Sequence, residues 1–353
     1  MQQVLFRTAK RTDLMRRHVD AVSRDAAWRG RVEASDQYAI LNVDAFEWLP
    51  DAPPNSVHAV VTDPPYGLVE YRPDQQAKLR KGRGGVWRIP PAFDGCDRRP
   101  VPRFTVLGEQ DRERLRRFFG DFARVLMPAL VPGAHIFVAT NPLVSHLVYE
   151  PLIAAGFEKR GEIIRLVQTL RGGDRPKNAH GEFPQVSVMP KSCWEPWGLF
   201  RKPCEGRVQD NLRRWRTGGL RRISPSEPFR DVIPSAPTRR GEHRIAPHPS
   251  LKPQHFLRQL VRAALPFGEG TILDPFMGSG STIAAAAANG LYAVGLEIDA
   301  TYYEMAQHAI PRLAALSART LGAKAVSQRR DVRIGNGKAT PVNRKHPTQP
   351  RAE

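Results

Sequence analysis

The sequence predicts an α/β protein on a doubly wound, mostly parallel sheet, with a long inserted region ahead of its last third. Three observations predict it. Short apolar runs alternate with stretches that are apolar at helical spacing. Several of those runs lead directly into an acidic or amide residue, the pattern expected where the carboxyl ends of parallel strands share one rim. The regular texture lapses between residues 170 and 245, where prolines, arginines and tryptophans gather, and then resumes.

Taken in order, residues 1–36 are polar and rich in arginine (Arg11, Arg16, Arg17, Arg24, Arg31) and predict a basic N-terminal extension or a peripheral helix. Residues 37–169 read as the first half of the α/β domain. Residues 38–43 are its first strand, 45–49 a short helix and 57–61 a buried strand entered through the turn Pro53-Pro54-Asn55. Residues 68–110, rich in Gly, Pro and Arg, predict a mobile loop. A helix is expected over 111–126, with Leu115, Phe118, Phe119 and Phe122 on one face, and a strand over 134–139. Another helix and strand are expected to end near Val167. After the inserted region, residues 246–316 form the second half. Its elements are an amphipathic helix at 254–265, a strand at 271–273, an alanine-rich helix at 281–289 closed by Gly290, a strand at 292–297 and a last helix at 303–316. Residues 317–353 are basic and poor in apolar residues, and predict a disordered tail.

Composition narrows the partners. The 353 residues include 54 Lys+Arg against 35 Asp+Glu, a net charge of +19, which points to a polyanion and first to nucleic acid. The three cysteines, Cys96, Cys193 and Cys204, contain no CxxC pair. They predict neither a disulfide framework nor a metal site, and fit a reducing, cytoplasmic setting. No stretch is long and apolar enough to suggest a membrane span or a signal peptide.

The predicted rim carries Asp44, Asp63, Asn141, Asp274 and Glu297. Any one of them could simply cap the following helix; a row of them predicts a site for hydroxyls, amines or a cation. Gly278-Ser279-Gly280, after Asp274-Pro275-Phe276-Met277, is a glycine turn between strand and helix, where a ligand can approach bare backbone and free N–H groups. Glu297, at the tip of the next strand, is placed to accept from ribose hydroxyls. Together these predict a nucleoside-containing cofactor. Without G-x-G-x-x-G the pattern speaks modestly against a dinucleotide.

Thr62-Asp63-Pro64-Pro65-Tyr66-Gly67 follows the buried strand. Two prolines remove two N–H donors and stiffen the backbone, so the Pro64 carbonyl and the Asp63 carboxylate present two acceptors side by side. That suits the two hydrogens of an NH₂ group. An aromatic amine is a poor nucleophile because its lone pair is delocalised. Acceptors that draw its hydrogens out of plane favour a tetrahedral nitrogen, and the negative charge of Asp63 suits the cation that develops. Tyr66 offers a face on which a base can stack.

Asp63-Pro64-Pro65-Tyr66 resembles the catalytic motif of amino-methylating DNA methyltransferases. Asp274-Pro275-Phe276-Met277-Gly278-Ser279-Gly280 is similar to their S-adenosylmethionine loop, and His248-Pro249-Ser250-Leu251-Lys252-Pro253 to the H-P-T-x-K-P segment before it, with serine in place of threonine. The catalytic motif comes first and the cofactor loop last, as in the circularly permuted β class. The resemblance covers about residues 37–316. It implies the Rossmann-like methyltransferase fold and S-adenosyl-L-methionine as cofactor. Catalysis would fall to Asp63, Pro64, Pro65 and Tyr66. The cofactor would be held by Asp44, Asp63, His248, Lys252, Asp274, Phe276, Gly278, Ser279, Gly280 and Glu297, with Asp44 near the adenine and Glu297 on the ribose.

Residues 170–245 fall where such enzymes keep their target-recognition region, and the arginines and tryptophans there suit phosphate contacts and stacking. Lys78, Arg80, Lys81 and Arg83 in the loop, with Arg213, Arg214, Arg216 and Arg221, are the expected contacts to double-stranded DNA. The target base is expected to be flipped out of the duplex, for which methyltransferases are a standard example. The resemblance implies adenine N6 as the target, with cytosine N4 the alternative. An RNA or protein methyltransferase, or a DNA-binding homologue without activity, are more distant readings. Binding to DNA would associate the protein with the nucleoid; a homodimer and a companion restriction endonuclease are left open.

Overall fold

The computed structural model describes residues 2–25, 30–65, 108–167, 176, 179–248 and 250–317. A long helix, α1 (Gln2–Arg24), opens the chain and is followed by a short strand, β1 (Arg31–Ala34). Then come β2 (Tyr38–Asn42), α2 (Ala45–Trp48) with a 3₁₀ turn, and β3 (Val57–Thr62). The next elements are α3 (Glu109–Ala129), β4 (Leu130–Ala139), α4 (Ser145–Ala154) and β5 (Glu158–Leu166). The inserted region contributes β6 (Trp194–Arg201), α5 (Val208–Trp215), β7 (Val232–Pro234) and α6 (Arg240–Ile245). The chain then forms α7 (Gln254–Ala264), β8 (Thr271–Asp274), α8 (Ser281–Ala288), β9 (Tyr292–Glu297) and α9 (Ala300–Ala314).

These strands make one sheet in the order β1-β2-β9-β8-β3-β4-β6-β5-β7. From β2 to β4 all neighbours are parallel. β1 is antiparallel at one edge, and β6 runs antiparallel between β4 and β5 on the other side. The mostly parallel, doubly wound α/β fold is therefore the one predicted. All six residues of β3 are buried, as a central parallel strand covered on both faces requires. Helices supply the cover. One core packs Met15 and Val19 of α1, Phe119 and Phe122 of α3 and Leu147 of α4 against Leu41, Val60 and Val138. The other packs Phe256 and Leu257 of α7, Ile283 of α8 and Ile310 of α9 against Ile40, Ala59 and Val61. Neighbouring residues of one strand serve opposite cores because strand side chains alternate.

One expectation is refined and one corrected. Of the two forms expected, the N-terminal segment takes the helix: α1 buries Met15 and Val19, and β1 pairs along β2. Its apolar positions are few, but they recur four apart and share one helical face. The inserted region is not apart from the sheet, since β6 lies inside it. Trp197 and Trp215, expected as stacking surfaces, are core residues, one on each side. The 318–353 segment lies outside the described residues, as does most of the expected loop at 68–110. No described helix is long and apolar enough to cross a membrane.

Candidate active site

The winding reverses beside β3. The chain proceeds from β3 outward to β4, whereas β8 lies on the other side of β3 and continues to β9. A crevice at such a switch point, beyond the carboxyl ends of the strands, is the common ligand site of open α/β sheets. Here the predicted rim assembles in spatial order: Asp44 after β2, Glu297 ending β9, Asp274 ending β8, Asp63 after β3 and Asn141 beyond β4. Ala59 and Val60 pair with Ile272 and Leu273, so the Asp63 and Gly278 segments leave adjacent parallel strands at the same end. Across that boundary the Thr62 hydroxyl donates 2.7 Å to Asp274 Oδ1.

Each rim residue has a local reason for its place. Asp274 is fully buried and also accepts from the Phe276 amide at 3.2 Å. Burial pushes its carboxyl up to about 7, with the negative charge of Asp63 adding to the rise and hydrogen bonds from Thr62, Thr282 and Phe276 opposing it. Glu297 accepts from the amide of Gly278 at 2.8 Å through one oxygen and from that of Asp299 at 2.8 Å through the other. Burial raises its carboxyl as well, against those two bonds. Asp44 caps α2, accepting from the Phe46 amide at 2.9 Å, and still stands on the rim, because the next residue back, Val43, donates to the Glu297 carbonyl at 3.0 Å. Asn141 accepts from the Leu143 amide and closes its own turn.

The glycine turn is shaped by its neighbours. Gly278 and Gly280 have φ of +53° and +80°, where a side chain is strained. A Cβ on Gly278 would sit 3.0 Å from His248 Nε2, and one on Gly280 would sit 2.4 Å from Ile310. His248 itself packs edge-on to Tyr302, with centroids 4.4 Å apart. Ser279 is buried within the turn. Phe276 turns its ring toward Phe118 and Phe122 of α3, at 5.8 and 5.2 Å, so it belongs to the core as much as to the crevice.

Asp63 is the centre of a polar cluster that sequence reasoning only partly foresaw. Lys252 Nζ and Ser250 Oγ both donate to Asp63 Oδ2, the second at 2.8 Å. Lys252, expected to hold the cofactor, therefore bonds the Asp63 carboxylate. Among the described residues Asp63 Oδ1 is buried without a hydrogen-bond partner. Behind Lys252, at 3.9 Å, stands Glu195 of β6. Its other contacts are Trp197 Nε1 at 2.8 Å and Arg165 Nη1 at 3.0 Å. Arg165 in turn donates to Ser235 Oγ and the Ala236 carbonyl. Neither Glu195 nor Arg165 was singled out from the sequence. The sequence carried little signal for either, since Pro196 and Gly198 argue against a strand at Glu195 and only the sheet makes β5 and β6 neighbours.

The remaining candidates are dispersed. Pro64 is buried and Pro65 exposed. Tyr66, Lys78, Arg80, Lys81, Arg83 and Cys96 lie outside the described residues. Arg213 and Arg214 are exposed on α5 and pair with Asp210 and Glu205. Arg221 is half-buried. Arg216 departs from its expected role: its side chain is 16% exposed, pairs with Glu269 at 2.7 Å and lies 3.4 Å over the Phe267 ring.

Comparison with known proteins agrees with this architecture. The PvuII DNA methyltransferase, cytosine-N4-specific, superposes with a TM-score of 0.50 at 12% identity, over 81% of this chain and 88% of that one, a likeness of fold. TTHA0409 from Thermus thermophilus, complexed with S-adenosyl-L-methionine, gives a TM-score of 0.48 at 22% identity, over 77% and 92%. The Type II methyltransferase M2.DpnII of Streptococcus pneumoniae is 28% identical over 88 residues, or 25% of this chain; the match spans about a third (32%) of that relative's length. Over residues 175–308, which reach from before β6 into α9 and include Glu195, Lys252, the glycine turn and Glu297, the chain is similar to the N6/N4 family described as DNA methylase.

Proposed function

We propose that this protein is an S-adenosylmethionine-dependent DNA methyltransferase of the permuted β class, acting on the exocyclic amino group of a flipped base, adenine N6. The observation that carries this reading is the meeting of Asp63 and the Gly278 turn on adjacent parallel strands at one rim. The similarity over residues 175–308 supports the cofactor half. The net charge of +19 supports a DNA substrate. Adenine is favoured because the motif begins with an acid, Asp63, the commoner form among adenine-methylating members of the family it resembles.

The residues present fit the cofactor. The turn leaves backbone bare at Gly278 and Gly280, and Glu297, fixed by two amides, retains lone pairs for ribose hydroxyls. Asp44 stands one strand further along the rim, where it would meet the adenine, and His248 lies over Gly278. When bound, S-adenosylmethionine supplies an electrophilic methyl on a sulfonium sulfur, so no metal is needed to activate it.

The protein's own share is orientation and charge. Asp63 Oδ2 is held by Lys252 and Ser250, which leaves Oδ1 to accept one amino hydrogen, and the Pro64 carbonyl accepts the other. As the nitrogen gains the methyl and becomes cationic, Asp63 stabilises the charge, and the surplus proton leaves to the carboxylate or to water. Holding the amine in line with the methyl supplies much of the acceleration.

The test is mass spectrometry of nucleosides from DNA incubated with the purified protein and S-adenosylmethionine. N6-methyl-2′-deoxyadenosine is the expected product. N4-methyl-2′-deoxycytidine would correct the base, and the absence of both from mixed-sequence DNA would reject the reading.

A further inference from the structure

Asp63 is the end of a partly buried chain of four charges of alternating sign. Arg165 of β5 pairs with Glu195 of β6, Glu195 faces Lys252, and Lys252 bonds Asp63. Their side chains are 7%, 22%, 9% and 16% exposed in that order. Two cations and two anions sum to zero, which is how charges persist away from water. Without Lys252 the Asp63 carboxylate loses its cation in the chain and Glu195 keeps Arg165 alone, and without Glu195 the two cations outnumber the one remaining anion.

The geometry has a direction. Asp63 carries one of the two acceptors the reaction needs, and a carboxylate can turn about its last bond to present either oxygen. Lys252 and Ser250 settle the choice by engaging Oδ2. A lysine ammonium on four methylenes is itself a loose clamp, since its charge is compact and its stem flexible. It is pinned here by its own bond to Ser250 Oγ at 3.3 Å and by the second carboxylate behind it. That carboxylate is fixed in turn, one oxygen by Trp197 and the other by Arg165, and Arg165 is anchored on Ser235 and Ala236 beyond β7. Burial alone would raise the Glu195 carboxyl; Lys252, Arg165 and the Trp197 hydrogen bond outweigh it and hold the group below its ordinary range, so it is charged.

We propose that Glu195 is a positioning residue for the transfer reaction: through Lys252 it holds the Asp63 carboxylate with Oδ2 engaged and Oδ1 left for the amino group. The inference rests on the methyl-transfer reading above. It also gives β5, β6 and the segment after β7, all outside the two signature motifs, a grip on the acceptor.

Glu195→Gln keeps the size of the side chain and an acceptor for Trp197 while removing the charge that pins Lys252. Its kcat should fall about 10- to 100-fold, the scale of a small misplacement at a reacting centre, with KM for DNA and calorimetric affinity for S-adenosylmethionine unchanged. In a Lys252→Gln background the same change should cost less than about twofold more, because the residue acts only through that lysine. A wild-type kcat in Glu195→Gln, or a loss that multiplies fully with that of Lys252→Gln, overturns the proposal. Should Glu195→Gln not fold, Glu195→Asp keeps the charge but draws it back by one methylene. Lower kcat at unchanged cofactor affinity then supports the inference, and wild-type kcat overturns it. A wild-type protein that methylates no DNA overturns the functional reading and this inference with it; an active wild type with an indifferent Glu195 overturns this inference alone.

Discussion

Replacing Asp274 with asparagine should flatten the dependence of stability on pH between about 4 and about 7. Asp274 ends β8 inside the crevice wall, and burial pushes its carboxyl from an ordinary 3.8 up to about 7. The sign follows from which state binds the proton more tightly. The folded protein does, so the group's contribution is fully present below about pH 4 and is lost as pH rises through about 7. The shift is about three pH units, and at ~1.4 kcal/mol per unit it sets a ceiling of about 4 kcal/mol. Asparagine keeps the Oδ1 acceptor used by Thr62 and the Phe276 amide, so the bonds across the β3–β8 boundary survive. Urea denaturation of both proteins at steps from pH 4 to 8 measures the effect, with equal m-values confirming that the same unfolding is compared. The stability difference should move in favour of Asp274→Asn by a few kcal/mol across that range. Parallel curves would show that Asp274 ionises in the folded protein as easily as in water, and would refute the reasoning.

Three further outcomes are expected. Gly280→Ala places a Cβ in the left-handed region and 2.4 Å from Ile310, so it should lose about 2–5 kcal/mol of stability from backbone strain and overpacking together; an unchanged denaturation midpoint would contradict the fixed turn. Asp63→Ala should lower methyl transfer at least about 100-fold while calorimetry finds affinity for S-adenosylmethionine largely kept; retained turnover would remove Asp63 from the mechanism. Arg216→Ala should cost about 1–2 kcal/mol of stability through its pair with Glu269 and its stacking on Phe267. The slope of log DNA affinity against log salt should not move, whereas a phosphate contact would reduce it by about one.

The sequence alone determined the parallel half of this protein. Apolar runs that stop on Asp63, Asp274 and Glu297 are legible because a strand buried on both faces must be apolar throughout and can turn polar only at its end. The glycine turn and the paired prolines were legible because only those residues meet their backbone demands. What the sequence could not disclose is what lies beside what. β6 reads as Trp-Glu-Pro-Trp-Gly-Leu-Phe-Arg, with Pro196 and Gly198 arguing against a strand, and only pairing on both sides with β4 and β5 overrides that local preference. The same pairing turned Trp197 from an expected stacking surface into core, and brought Glu195 within reach of Lys252 across 57 positions of chain. Charge alternation along such a path has no sequence period, because it depends on which strands become neighbours; the tertiary structure decided it, and with it which oxygen of Asp63 has no partner among the described residues.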